Sequence, residues 1–168
     1  MEDGSFSSRN QVLGNYLTLI RNGVNVKQDD TGQGWPVTRI ETIWNGDIDA
    51  RRVKWTVPDE KLEEKFFLKQ GDILFSHINS PEHIAKTAIY RGSPYPLIHG
   101  INLLRLRALD NTINPYWLEI YLKTPFSREY FRSRCKKAVN QASLNQSDIN
   151  SLPIIVPPIS GQDGMALR

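Results

Sequence analysis

The order in which predicted strands and helices follow one another restricts the fold of this chain more than any other feature. Most strand-like segments lie in the first two thirds, at residues 37–43, 51–57, 73–76, 87–90 and 97–106. Helix-like segments follow, because Asn114-Pro115 and Pro125 each begin a stretch with apolar residues at helical spacing. Strands that precede helices, instead of alternating with them, indicate an α+β fold.

With 168 residues, the chain is long enough for one domain with its own core. We expect a single α+β domain in which helices pack on a twisted mixed or antiparallel sheet. A Gly71-Asp72 turn is expected to lead into a buried strand, and Pro58 to begin a charged helix over residues 59–65. Towards the end we expect a polar loop at residues 140–143, a short helix capped by Asn145 or Ser147, and a closing strand at residues 152–156.

Composition excludes several classes of protein. Charged residues make up 23% and hydrophobic residues 39% of the chain, as in ordinary globular proteins, and no apolar stretch is long enough to span a membrane. Residues 1–11 form a polar, flexible leader without the apolar core of a signal peptide, so the expected location is the cytoplasm. Cys135 is the only cysteine, and His77 and His83 lack the spacing of zinc ligands, so we predict no metal site.

Catalytic motifs are incomplete. Asn114-Pro115-Tyr116 resembles part of the motif with which adenine methyltransferases hold their target base, but it lacks the second proline, and no glycine-rich loop is present for an adenosyl cofactor. Asp59 and the Glu63-x-Lys65 pair fall in one predicted helix, whereas a nuclease needs such carboxylates on neighbouring strands to share a cation. A helix start and a solvated charged helix explain these residues, and we predict no catalytic residue.

Basic residues gather in three places, although the net charge is only +3. The clusters are Arg51, Arg52 and Lys54 on a predicted exposed strand, Arg105 and Arg107 on one face of another strand, and Arg128, Arg132 and Lys136 at intervals of four on a helix. Such clusters can neutralise DNA phosphates and release their counterions. For the helical cluster alone, a solvated surface is the alternative interpretation.

Three loops carry side chains whose donors and acceptors suit base edges. They contain Asn25, Lys27, Gln28 and Gln33; then His77, Asn79, Ser80 and His83; then Asn140, Gln141 and Ser143. Each loop alone is equally typical of ordinary turns and caps. No helix-turn-helix, zinc-finger or basic-zipper pattern is present, so the residues by themselves indicate an α+β domain with basic faces.

Four pairs or sets of short segments follow one another in a characteristic order over residues 12–158. They are Leu13-Gly14 with Ile20-Arg21-Asn22-Gly23; Trp35-Pro36-Val37-Thr38-Arg39-Ile40 with Asn45-Gly46-Asp47-Ile48-Asp49; Lys69-Gln70-Gly71-Asp72-Ile73-Leu74-Phe75-Ser76 with Ile84-Ala85-Lys86-Thr87-Ala88; and Gln141-Ala142-Ser143-Leu144-Asn145 with Leu152-Pro153-Ile154 and Val156-Pro157-Pro158. This set resembles the target recognition domain of type I restriction–modification specificity subunits. The order and spacing carry the resemblance more than any single segment.

The resemblance implies a function as well as a fold. Specificity subunits of this family have two such domains, each reading one half of a bipartite DNA site, and they have no active site. Modification subunits bind S-adenosylmethionine and methylate adenine, while restriction subunits use ATP and magnesium to translocate and cut DNA. The partners implied for this chain are double-stranded DNA, modification subunits and restriction subunits, and the chain itself is expected to hold no cofactor.

The resemblance also indicates which residues contact DNA. The shared segments would form the rigid scaffold, and the loops between them would determine which DNA sequence is recognised. We predict that Asn79, Ser80, Asn140, Gln141 and Ser143 lie next to bases, with the major groove as the surface that distinguishes all four base pairs. We predict that Arg51, Arg52, Lys54, Arg128, Arg132 and Lys136 lie next to phosphates.

The chain departs from the family pattern in its extent. We expect a single domain at residues 12–158, and we expect residues 159–168 to be a truncated tail where the family's long spacer helix would begin. Gly161 and Gly164 are expected to interrupt that helix, and the few residues after them are too few for a stable one. We expect a truncated product or an excised domain. Two other functions stay open, namely the recognition piece of a fused methyltransferase–endonuclease and an interaction relic that no longer binds DNA.

Overall fold

A four-stranded antiparallel sheet lies at the centre of the molecule. The computed structural model describes residues 11–58, 62 and 64–166. Their strands are β1 (Leu17–Asn22), β2 (Trp35–Thr38), β3 (Val53–Thr56), β4 (Ile73–Phe75), β5 (Ile78–Asn79), β6 (Thr87–Ile89), β7 (Leu104–Ala108), β8 (Lys136–Ala138) and β9 (Gln141–Ser143). The central sheet has the order β1-β7-β4-β6, while β2 pairs with β3, and β5, β9 and β8 form a third sheet. All these strand pairs are antiparallel.

Both faces of the central sheet are buried, which explains the continuous apolar sequence of β4. Ile73 and Phe75 point to one face and Leu74 to the other, because side chains alternate along a strand. The first face packs against helices, and the Phe75 ring meets the Phe131 ring edge-on at 5.1 Å. The second face packs in a separate cluster that contains Leu103.

Among the described residues, four α-helices follow the central sheet, with β8 and β9 between the second and the third. They are α1 (Pro115–Leu122), α2 (Pro125–Arg134), α3 (Gln146–Asn150) and α4 (Ile159–Ala166). Asn114 caps α1 by accepting the Tyr116 backbone N–H at 2.8 Å, and Asn145 caps α3 by accepting that of Asp148 at 2.8 Å. The predicted α+β domain of antiparallel sheets and packed helices is therefore confirmed, together with the helix starts at Pro115 and Pro125.

All five strands predicted within residues 37–106 extend beyond the observed ones, and two of the differences have a clear structural cause. Residues 37–43 leave the sheet at the end of β2, because the Arg39 backbone N–H donates to Thr42 Oγ1 at 2.8 Å and a 3-10 helix begins. Residues 97–106 begin as a buried loop hydrogen-bonded to β2, and only their last three residues belong to β7. A local hydrogen bond thus ends the first strand, and hydrogen bonds to the distant β2 keep the start of the second segment out of the central sheet.

Two further predictions near the end are wrong. Residues 140–143 are not simply a polar loop, since Gln141–Ser143 forms β9, which pairs on both sides and buries Ala142 completely. Residues 152–156 do not form a strand; Pro153 makes a single bridge to Val12, because prolines cannot donate to a sheet ladder.

The expected interruption of the tail by glycines is also wrong. Helix α4 contains both Gly161 and Gly164, and a buried side chain fastens it to the domain. The Gln162 amide accepts the Asn114 backbone N–H at 2.6 Å and donates to the Pro157 carbonyl at 2.7 Å. Since Gln162 is fully buried, these hydrogen bonds form away from competing water and offset the low helix propensity of glycine.

Parts of two predictions lie outside the described residues. They are most of the leader at residues 1–11 and most of the predicted charged helix at residues 59–65, of which only the 3-10 turn Glu64–Phe66 is described as an element. Within the described part of the chain, no helix has both the length and the apolar character needed to cross a membrane.

Candidate nucleic-acid interface

The hairpin formed by β8 and β9 meets a distant segment of the sequence, β5, in the three-stranded sheet. The middle strand is β9, where Ser143 pairs with Ile78 on one side and with Lys136 on the other. The sheet and its connecting residues thereby bring together all five predicted base-contact residues and one predicted phosphate-contact residue. These six residues are Asn79, Ser80, Asn140, Gln141, Ser143 and Lys136.

The two sides of this sheet differ in their surroundings. Ala142 lies opposite Asn79 and Lys137 and is fully buried in the main core, so its side of the sheet faces the domain. Because side chains alternate along a strand, the residues next to Ala142 point away from the domain. We call that side the outer face; it consists of Ile78, Lys136, Ala138, Gln141 and Ser143.

The predicted base-contact residues divide between two roles. The Asn79 amide nitrogen donates to Ser76 Oγ at 3.0 Å, and its oxygen accepts the Ser80 backbone N–H at 2.8 Å. Asn79 therefore stabilises the loop that follows β5. Gln141 is exposed on the outer face, and within residues 11–58, 62 and 64–166 its amide has no hydrogen-bond partner, so its donor and acceptor are available to a ligand.

A tight turn at Val139 and Asn140 joins β8 to β9 and forms the tip of the hairpin. Asn140 has a φ of 61°, a left-handed conformation that asparagine tolerates better than most residues. Val139 is 91% exposed. Since β5 pairs only with Ala142 and Ser143, the tip extends past the end of β5 as a two-stranded ribbon.

Helix α2 ends at Arg134, one residue before the hairpin begins, and carries two further cations. Arg128 and Arg132 are exposed and lie four residues apart on one helix face. Lys136 does not continue their helical stripe, as the sequence predicted, because α2 ends at Arg134 and Lys136 begins β8. We call Arg128, Arg132 and Lys136 the helix–hairpin cluster. Among the residues that the structure describes, none of the three has an ion-pair partner.

Aspartates neutralise the second predicted phosphate-contact set, which we call the Arg51 cluster and which comprises Arg51, Arg52 and Lys54. Arg51 donates to Asp49 from Nε and Nη2 at 3.0 and 3.1 Å, and Arg52 Nε lies 3.3 Å from the same carboxylate. Lys54 pairs with Asp30. The hydrogen bond from the Arg51 side chain lowers the pKa of Asp49 to about 2, so this carboxylate is ionised at neutral pH.

The third basic cluster is not an exposed face, contrary to the sequence prediction. Arg105 is 1% exposed and donates to the carbonyl oxygens of Phe67 and Lys65 at 2.9 and 2.6 Å. Arg107 donates twice to Asp72, at 2.7 and 2.8 Å. The alternation of β7 is as predicted, but both guanidinium groups meet acceptors from neighbouring segments and stabilise the frame.

The histidines of the predicted recognition loop are packed within the domain. Burial lowers the pKa of His77, and the His83 ring lies 4.2 Å from the Trp44 ring, with Lys86 Nζ 4.5 Å from that ring. Gln28 of the first predicted loop accepts a hydrogen bond from Arg39 Nη1 at 3.1 Å. Over the described residues, no group of three or more His, Cys, Asp and Glu side chains is arranged to hold a metal ion.

The sequence prediction missed the apolar part of this surface. Ile78 and Ala138 lie on the outer face and Val139 lies at the tip, beside the amides and lysines. Two signals in the sequence point to this hairpin, namely an asparagine suited to a turn and short flanking segments suited to strands.

The chain belongs to the family of type I restriction modification DNA specificity domains, whose model matches residues 16–166. It is 46% identical over 156 residues to a protein of Methanocaldococcus jannaschii named as the type I restriction enzyme MjaX specificity subunit. It is 26% identical over 154 residues to the EcoKI specificity subunit of Escherichia coli. These matches include 92% and 90% of this chain but 36% and 33% of the relatives, so the chain spans about a third of their length.

Solved structures agree with this assignment at the level of the fold. One, from a study of complex assembly and conformational transition of the type I system, matches 93% of this chain with a TM-score of 0.63 and 19% identity. The specificity subunit from M. genitalium matches 94% with a TM-score of 0.58 and 13% identity. The chain corresponds to 35% and 36% of those two chains.

Proposed function

We propose that this domain reads one half of a bipartite double-stranded DNA target for a type I restriction–modification complex and catalyses no reaction itself. The observation that carries the proposal is the sheet formed by β5, β9 and β8. Its outer face and tip offer uncommitted amides beside cations that have no ion-pair partner among the described residues. Membership of the DNA specificity domain family supports the same function.

The chemistry of this surface fits DNA in two ways. Arg128, Arg132 and Lys136 can each neutralise a phosphate, which releases condensed counterions and favours binding. Asn140 and Gln141 can each make a paired hydrogen bond to the edge of adenine in the major groove. The cations would set the position of the domain on the duplex, and the amides would choose the sequence.

The partners and cofactors follow from the same proposal. The modification and restriction subunits of the complex would supply methyl transfer and cleavage, since the matched relatives are named specificity subunits. S-adenosylmethionine, ATP and magnesium would then bind those subunits, and none would bind this chain. We propose the cytoplasm as the location, since the DNA target would be reached there.

Selection of bound sequences from a pool of random duplexes, with the 168-residue chain as bait, tests the proposal. We expect a short enriched sequence, and an affinity for it that falls as salt rises from 50 to 200 mM. Each phosphate contact should contribute about −0.9 to the slope of log affinity against log salt.

The controls separate this function from its alternatives. Retention of no duplex at low salt would contradict DNA recognition and favour an interaction relic. Incubation of the chain with labelled S-adenosylmethionine and the selected duplex should give no methylated DNA. Methyl transfer by the chain alone would overturn the non-catalytic part of the proposal.

A further inference from the structure

We infer that Val139 determines part of the sequence preference by contacting the 5-methyl group of a thymine in the major groove. The inference rests on the proposed function, and it names one base feature that the hairpin would read. Val139 is the only β-branched residue in the segment between Cys135 and Leu144. This valine stands at the tip of the hairpin with 91% of its surface exposed.

The shape of the hairpin suits a groove. Strands β8 and β9 have three residues each, which corresponds to a ribbon roughly 10 Å long at about 3.4 Å per residue. The major groove is about 12 Å wide and 8.5 Å deep and admits a two-stranded ribbon. Since β5 pairs with Ser143 and Ala142 but not with Gln141, the turn and the Ala138–Gln141 pair can enter the groove without the third strand.

The residues around Val139 favour DNA over a protein as the occupant. Lys136 and Lys137 precede it, Asn140 and Gln141 follow it, and residues 135–143 contain no acidic side chain. Docking surfaces for proteins are contiguous apolar patches of several hundred Å², whereas the exposed aliphatic side chains here, Val139 with Ala138 and Ile78, are interspersed with cations and amides. Within the major groove, the thymine methyl is the apolar feature that such a side chain can contact.

Contact with a methyl group would also complement the amides. Asn140 and Gln141 follow Val139 and can recognise the edge of adenine, which displays an acceptor and a donor. The neighbouring Val139 would then distinguish thymine from cytosine, because cytosine lacks the 5-methyl group. The tip would thus favour sites that contain A·T pairs.

The test compares thymine with deoxyuridine at each position of the selected duplex. Deoxyuridine keeps the Watson–Crick groups of thymine and lacks only the methyl. We expect the dissociation constant of the wild-type chain to rise about four-fold at one thymine, the effect of removing one methyl group from an apolar contact. In Val139→Ala the same replacement should change the dissociation constant by less than about 1.5-fold, since the contact is already lost.

The matched control is Val57→Ala. Val57 is 73% exposed and follows β3 in the separate two-stranded sheet, so this variant should keep the four-fold difference. Far-ultraviolet circular dichroism of both variants should match the wild type, because neither valine is buried.

The outcomes distinguish the two claims. A selected duplex that binds equally well with deoxyuridine at every thymine would overturn the role of Val139 and leave DNA recognition intact. The same holds for a methyl effect that persists unchanged in Val139→Ala. Failure of the wild type to select any duplex would instead overturn the proposed function, and the thymine contact with it.

Discussion

Two basic regions of this molecule contain the same types of residue but differ in whether their cations are paired with carboxylates. The Arg51 cluster and the helix–hairpin cluster each contain two arginines and a lysine. In the first, Asp49 and Asp30 pair with all three cations. In the second, none of the three cations pairs with an acidic side chain of the described residues.

The difference shows that counting basic residues is a poor measure of a phosphate-binding surface. A cation that already holds a carboxylate must release it before it can bind a phosphate, and the released carboxylate then repels the DNA. A cation without a partner needs only to displace water and small anions. We therefore expect the two clusters to contribute unequally to binding, although both remain proposed phosphate contacts.

The strongest test of the comparison removes the helix–hairpin cluster in the triple variant Arg128→Gln, Arg132→Gln and Lys136→Gln. We expect about a 100-fold loss of affinity for the selected duplex at 100 mM salt, because three phosphate contacts disappear. The slope of log affinity against log salt should become shallower by about 2.7. Fluorescence anisotropy over a salt series measures both quantities, and an unchanged slope would remove this cluster from the interface.

The frame that carries both clusters sets the pH range of such measurements. Burial lowers the pKa of His99 from 6.5 to about 4, and this ring is fully buried with Nε2 2.7 Å from the Leu103 carbonyl oxygen. Between these two values the unfolded chain binds a proton that the folded chain does not. The contribution of His99 to the free energy of unfolding is therefore fully present above pH 6.5 and is lost as the pH falls towards 4.

We expect the free energy of unfolding to fall by about 2 kcal/mol between pH 7.5 and pH 5, which is a change of about 30-fold in the unfolding equilibrium. Urea denaturation at the two pH values measures this change. His99→Gln, which keeps a donor for the Leu103 carbonyl, should show a smaller pH dependence. An NMR titration that gave His99 a pKa near 6.5 would contradict the prediction independently of any variant.

Within the hairpin, amides should affect affinity differently from cations. We expect Gln141→Ala to weaken binding to the selected duplex by about ten-fold, the effect of losing one paired contact with a base. Binding to random duplex should hardly change, and the salt dependence should stay as in the wild type, because glutamine carries no charge. Gln146→Ala, at an exposed glutamine of α3, is the matched control and should bind both duplexes normally.

Equal losses on selected and random duplexes in Gln141→Ala would mean that Gln141 does not read sequence. In that case the outer face would only position the domain on the duplex. The two basic regions would then differ in their contribution to affinity, and neither would contribute to sequence specificity.

The sequence predicted the frame better than the surface, and the reason is the range of the interactions involved. The starts of α1 and α3 depend on Asn114 and Asn145, which cap backbone groups two or three residues away, so local sequence is sufficient. Strand β4 depends on an uninterrupted apolar segment after a Gly71 turn with a φ of 90°, which is equally local.

The surface depends on contacts between distant segments. Arg105 looks exposed in a strand pattern, but the carbonyl oxygens of Lys65 and Phe67, about forty residues away, surround its guanidinium. Likewise, residues 141–143 look like a loop until β5, more than sixty residues earlier, supplies a pairing partner. The ion pair between Lys54 and Asp30 joins residues 24 positions apart, and no periodic pattern in the sequence predicts such a pair.

The smallest expected effect belongs to the triple variant Arg51→Gln, Arg52→Gln and Lys54→Gln. We expect a two- to three-fold loss of affinity and a change in salt slope below about one, because these cations already pair with carboxylates. A loss as large as that of the helix–hairpin variant would show that the ion pairs open on DNA and that the comparison between the clusters is wrong.

Asp49→Asn tests the same comparison with a single substitution. The pKa of Asp49 is about 2, so its carboxylate is charged at every assay pH. If the Arg51 cluster lies beside phosphates, this single change frees Arg51 and Arg52 and should tighten binding about two-fold; an unchanged affinity places the cluster away from the duplex.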